Sequence, residues 1–79
     1  MTDFETIRAS EAFARLTANQ ASVDIWPDKE FSEGDFSYYW AMANDEGAVR
    51  MLGYFRCKGT MCEHRAYDAN GDDLWLPAS

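Results

Sequence analysis

Apolar and polar positions alternate most regularly over residues 36–43. Phe36, Tyr38, Trp40 and Met42 fall on one side of an extended chain, and Ser37, Tyr39, Ala41 and Ala43 on the other. This period of two predicts a strand from Phe36 to Ala43. Asn44–Gly47 follows as a turn, with Gly47 suited to positive φ. A second long strand is predicted over Ala48–Lys58. Val49, Met51, Phe55 and Cys57 share one side of it; Arg50, Leu52, Tyr54, Arg56 and Lys58 share the other. Gly53 in its middle predicts a bulge, or a bend over a large aromatic neighbour. Beyond Gly59 a third strand is expected over Met61–Tyr67. Asn70-Gly71 is a hairpin signal, and Asp73–Leu76 closes the sheet before Pro77. Upstream, Ser22–Trp26 reads as a short strand that stops at Pro27.

Residues 3–18 contain no Gly or Pro and many helix formers. Thr2 and Glu5 stand at capping-box spacing. One helix is predicted here, with two apolar sides. Phe4, Ile7, Ala14 and Ala18 lie on one; Ala9, Ala12, Phe13 and Leu16 lie nearly opposite. Either the helix is clasped on both sides, or it starts later, near Ser10. Two apolar faces in so small a domain also hint at self-association.

Consecutive strands joined by tight turns pair with their neighbours. The expected fold class is therefore α+β: one N-terminal helix packed on a four- to five-stranded antiparallel meander, in a single domain over residues 1–79. The predicted core is Trp40, Met42, Val49, Met51 and Phe55, with Phe13 or Phe4 from the helix.

Charge changes this picture. Fourteen acidic residues face seven basic ones, for a net charge of −7 and a pI near 4.4. A disordered acidic tail would lack the 47% apolar and 15% aromatic content found here. The chain reads as a folded domain with a negative exterior, which repels nucleic acid and membranes and attracts basic protein surfaces. No leader-like segment and no run near ~20 apolar residues is present, so the expected compartment is the cytoplasm. Cys57 and Cys62 are then expected as free thiols under reducing conditions, although a cross-strand disulfide is geometrically possible across the turn.

Three candidate sites have plain structural explanations. Cys57, Cys62 and His64 suggest a metal site, but zinc takes four ligands and the spacing is C-x₄-C. Cys62 and His64 share a strand side about 6–7 Å apart, which does not make a nucleophile–base pair. Asp68, Asn70 and Asp72 open like a calcium loop, but Asp73 stands where Gly should and Ser79 where Glu should. No cofactor, metal or catalytic residue is expected. Arg50, Arg56, Lys58 and Arg65, with Tyr54 and Phe55, could form an aromatic platform for single-stranded nucleic acid, although the overall charge opposes it.

The remaining site is acidic. Asp24, Asp28, Glu30, Glu33 and Asp35 surround Trp26 and Phe31. Aromatic anchors ringed by charge are what protein interfaces use for affinity and steering. These seven residues are the expected partner-binding site, and the partner is a basic protein surface.

In size, strong acidity and expected fold, the chain resembles the anti-CRISPR proteins of phages and mobile elements. The likeness is one of type and covers the whole chain. It implies a non-enzymatic inhibitor that acts as a DNA mimic. Its acidic surface would occupy the Lys- and Arg-lined channel of a CRISPR effector complex, most of all a type I (Cascade-like) one. The setting would be the host cytoplasm, with no direct nucleic-acid or membrane contact and a homodimer left open. The alternative is a small cytosolic regulator that binds RNA or a metal through the Arg50–Arg65 strands.

Overall fold

The computed structural model describes residues 2–79. The expected N-terminal helix is broken in two: α1 spans Asp3–Arg8 and α2 spans Glu11–Thr17. Thr2 and Glu5 form the capping box that starts α1. Ser10 makes the break. Its Oγ donates to the Ile7 carbonyl at 2.6 Å and accepts from the Phe13 N–H at 3.2 Å, so one buried hydroxyl serves the end of α1 and the start of α2. The break resolves the two apolar sides seen in the sequence. In one straight helix Ile7 and Phe13 would face apart; bent at Ser10, both enter the same core. The straight two-sided helix is thus replaced by two short segments.

Five strands follow: β1 (Val23–Pro27), β2 (Ser37–Asp45), β3 (Ala48–Lys58), β4 (Met61–Tyr67) and β5 (Asp73–Pro77). They form one antiparallel sheet in the order β1-β2-β3-β4-β5. The sheet holds 50% of the chain and the helices 17%, which corrects the expected fold class. The molecule is a small sheet domain with two short helical segments, not a long helix laid on a sheet.

The β2–β3 connection is a two-residue hairpin loop. Glu46 and Gly47 both have positive φ (53° and 87°), the pattern that matches the twist of the flanking strands. The β4–β5 connection is longer than Asn70-Gly71 suggested. Asp68 Oδ1 accepts the N–H groups of both Asn70 and Asp72, which organises a five-residue loop.

A shift in pairing between Ala41 and Met42 places an extra residue, Leu52, in β3. From Gly53 onward, odd residues of β3 face the helices; before it, Met51 pairs with Met42 on the other side. The predicted core is therefore largely corrected. Phe55 is fully buried under the helices, but Val49 and Met51 are exposed and Trp40 and Met42 only half-buried. The core is Ile7, Ala12, Phe13, Ile25, Tyr39, Ala41, Phe55, Cys57 and Cys62, with Leu16, Val23 and Leu52 packed against it. Small residues face the helices because α2 approaches closely: a Cβ on Gly53 would lie 2.7 Å from Leu16 Cδ1. The chain end joins the same layer, since the Ala78 N–H donates to the Cys62 carbonyl and its own carbonyl accepts from Ala12.

Cys57 and Cys62 are direct partners across β3 and β4, with Cα atoms 4.1 Å apart, and form a disulfide beneath the helices. This departs from the free thiols expected of a reducing compartment. The physical reason is register: the Gly59-Thr60 turn sets the two residues opposite each other.

Hydrogen bonds from Asp28 to Tyr38 and from Ala78 to Cys62 fix the phase of both edge strands. The odd-numbered residues of β1 and β5 turn their backbone groups outward. On β1 these include Ile25, whose N–H donates to the Asp24 carboxylate, and Pro27, which has no N–H. On β5 they include Pro77.

Candidate functional site

The side of the sheet away from the helices is open, and it carries the largest side chains. Tyr38 and Trp40 of β2, Tyr54 and Arg56 of β3, Arg65 of β4 and Trp75 of β5 line one cleft of about 570 Å³. The loop after β1 supplies its outer wall, through Asp28, Phe31 and Glu33; Asp73 stands at the β5 end.

The rings are packed against one another. Tyr54 lies 5.6 Å from Tyr38, centroid to centroid, in a stacked arrangement, and 4.0 Å from Trp40 with the ring planes tilted by 33°. Phe31 meets Tyr38 edge-on at 4.8 Å. Guanidinium groups take other ring faces. Arg56 lies 4.1 Å from the Phe36 ring and 4.4 Å from Trp75, while Arg65 lies 4.8 Å from Tyr54. Tyr38 and Tyr54 are thereby buried, at 4% and 7% exposure, with no helix above them.

The hydrogen bonds of the cleft set its electrostatics. Tyr54 donates its phenol to Asp28 Oδ2 at 2.7 Å. Burial, and then this carboxylate, push the Tyr54 phenol well above its ordinary range. Arg56 donates Nε–H to Glu63 Oε1 at 2.7 Å. Burial lowers the Arg56 pKa, but the Glu63 bond and charge outweigh it and hold the group above its usual value. Both groups keep their ordinary charge states at neutral pH.

The predicted acidic site is partly assembled here. Asp28, Phe31 and Glu33 meet at the cleft. Trp26 is 42% exposed and lines a neighbouring apolar groove with Trp40, Met42 and Met51. Asp24 sits on the same side, accepting from the Trp26 indole N–H at 3.3 Å and lying 3.7 Å from Arg8. Glu30 and Asp35 are exposed and stand outside the cleft. Sequence reasoning missed Tyr38, Trp75 and Asp73 as site residues, and it assigned Tyr54, Arg56 and Arg65 to the alternative nucleic-acid platform rather than to this cleft. Their signal was strand parity: each shares a side with Trp40 once the register is known.

The Arg50–Arg65 strands do not form one basic patch. Arg50 pairs with Ala43, turns to the helix side and binds Asp45 and Gln20. Arg56 is neutralised by Glu63. The sulfurs of Cys57 and Cys62 are joined to each other, and among the described residues no group of three His, Cys, Asp or Glu could hold a metal ion. No helix among the described residues is long and apolar enough to cross a membrane.

Comparison with protein-family models, with curated proteins and with solved structures finds no match to this chain. The reading of function rests on the cleft and its surroundings.

Proposed function

We propose that this chain is a non-enzymatic docking protein that covers a basic, nucleic-acid-binding protein surface and so blocks access of DNA. One observation carries the reading: the loop after β1 folds against the open face, so Asp28 and Glu33 line one cleft with the aromatic residues, and Glu30 and Asp35 stand exposed on the same loop. Acidic groups steer a basic partner, while Trp26, Phe31 and Trp40 supply desolvated contact area. Met51 and Met42 beside them add adaptable apolar surface. A type I (Cascade-like) CRISPR effector in the host cytoplasm is the partner to try first. The RNA and metal alternative gains no support: Arg50 and Arg56 lie on opposite sides of the sheet and are each paired with a carboxylate, and the two cysteine sulfurs are joined to each other.

The test is competition for DNA binding by such an effector. Reversal of Glu30, Glu33 and Asp35 to Lys is expected to abolish inhibition, while reversal of Glu11 and Glu46 is expected to leave it intact. Inhibition by wild type should weaken with salt, as the Debye length shrinks from ~10 Å at 0.1 M to ~3 Å at 1 M. Phe31→Ala should raise the off-rate. Inhibition that survives the triple reversal would sink the reading. The assay is run with and without reductant, because a reducing cytoplasm opposes the Cys57–Cys62 bond.

A further inference from the structure

We infer that the cleft between the 28–36 loop and the open sheet face is a receptor for a single arginine side chain of the partner. The inference rests on the docking reading above and deepens it by naming what enters.

The cleft holds unequal charge. Asp28, Glu33 and Asp73 line it, and none has a cationic partner within 4.0 Å among the described residues. Two cations line it as well. Arg56 is already matched by Glu63 at 2.7 Å. Arg65 is therefore the one unmatched cation facing three carboxylates. A further positive group is attracted there, and an anion meets a surplus of like charge.

The walls specify the shape of that group. The same cluster already seats two guanidiniums on rings, Arg56 against Phe36 and Trp75 and Arg65 against Tyr54. Phe31, 46% exposed at the mouth, leaves ring surface for a third. A guanidinium is planar, stacks on rings and binds carboxylates with two parallel hydrogen bonds. An ammonium does neither of the last two as well. A space of about 570 Å³ is ample for one such side chain. Arg65 is the opposing charge, so its removal should improve the site.

The experiment titrates the wild-type protein with acetylated, amidated tri-arginine, with tri-lysine and tri-glutamate at matched ionic strength. The Trp40 and Trp75 indole N–H resonances are followed by NMR. Tri-arginine should shift them saturably, tri-lysine should bind several-fold more weakly, and tri-glutamate should not bind. Glu33→Gln with Asp73→Asn should weaken tri-arginine about fivefold, the scale of about 1 kcal/mol. Arg65→Gln should tighten it. The inference is overturned if tri-lysine binds equally well or if Glu33→Gln/Asp73→Asn has no effect. Loss of binding in Arg65→Gln, or an equal shift by inorganic phosphate or an oligo-dT strand, would also overturn it. No effector is needed, so the two ideas fail separately. Peptide binding without effector inhibition leaves the cleft standing and removes the proposed target; inhibition without peptide binding does the reverse.

Discussion

Trp40 and Ala41 are neighbours in β2, yet they meet opposite surroundings. Ala41 faces the helices and is fully buried beside Gly53 and Phe55. Trp40 faces solvent-side rings and guanidiniums with no helix or strand above it. The helix side excludes water by close approach, which small residues and a disulfide permit. The open side does so with bulk, as rings and arginine stems cover one another. Burial alone therefore does not identify which side of a sheet carries the covering layer.

Truncating one apolar residue of β3 on each side gives the largest contrast. Phe55→Ala should cost on the order of 3–5 kcal/mol, since its ring is wholly enclosed. In a domain of this size that leaves little stability. Met51→Ala, at 53% exposure on the open side, should stay within about 0.5 kcal/mol. Urea unfolding of both variants measures the difference, and equal losses would erase the distinction between the sides.

The staple comes next. Cys57–Cys62 closes a short loop, so replacing both residues with Ala should cost about 2 kcal/mol by loop entropy. Tryptophan fluorescence of the folded double variant should match wild type, because the rings lie on the other side. A changed folded spectrum would mean that the two sides are coupled through β3.

Gly53→Ala tests the close approach directly. The new Cβ meets the end of Leu16, a flexible group that can turn aside, so the expected loss is about 1 kcal/mol. Combining it with Leu16→Ala should cost less than the two losses added. Additive losses would show that α2 does not press on this strand.

The smallest effect concerns pH. His64 lies on the helix side, where burial, and then the positive charge of Arg15, lower its pKa below the ordinary 6.5. The unfolded chain takes up the proton first as pH falls. His64 therefore contributes stability that is full above about pH 6.5 and is lost as pH drops through the lowered value. His64→Gln should flatten the melting temperature between pH 7.5 and 5.5 relative to wild type. An unchanged slope would place His64 in water.

Much of the strand pattern is legible in the residues. The 36–43 and 48–58 segments alternate, and Gly47 marks their turn. The side that faces the helices is not legible, because alternation names two sides without saying which is covered. Size misleads here: Trp40 and Met42 look like core, while Ala41 and Ala43 are the core. Leu52 adds a second error, since one extra residue moves Val49 and Met51 to the side opposite Phe55. The helix break rests on Ser10, whose hydroxyl competes with the helix for backbone partners. Of the acidic site, the 24–35 cluster is visible in sequence. Trp75 and Asp73 are not, because they reach the cleft from the far edge of the sheet.

The prolines that end β1 and β5 have a consequence for how any partner attaches. Both occupy outward-facing slots, and on β1 the Asp24 carboxylate also takes the outward Ile25 N–H. A neighbouring chain looking for a backbone to zip onto loses one donor to proline at each margin and a second, on β1, to the Asp24 carboxylate. Attachment by adding a strand, which reads almost any extended peptide, is thereby discouraged. On the docking proposal, recognition then falls to side chains of the open face, where a single residue change in either protein would alter the fit.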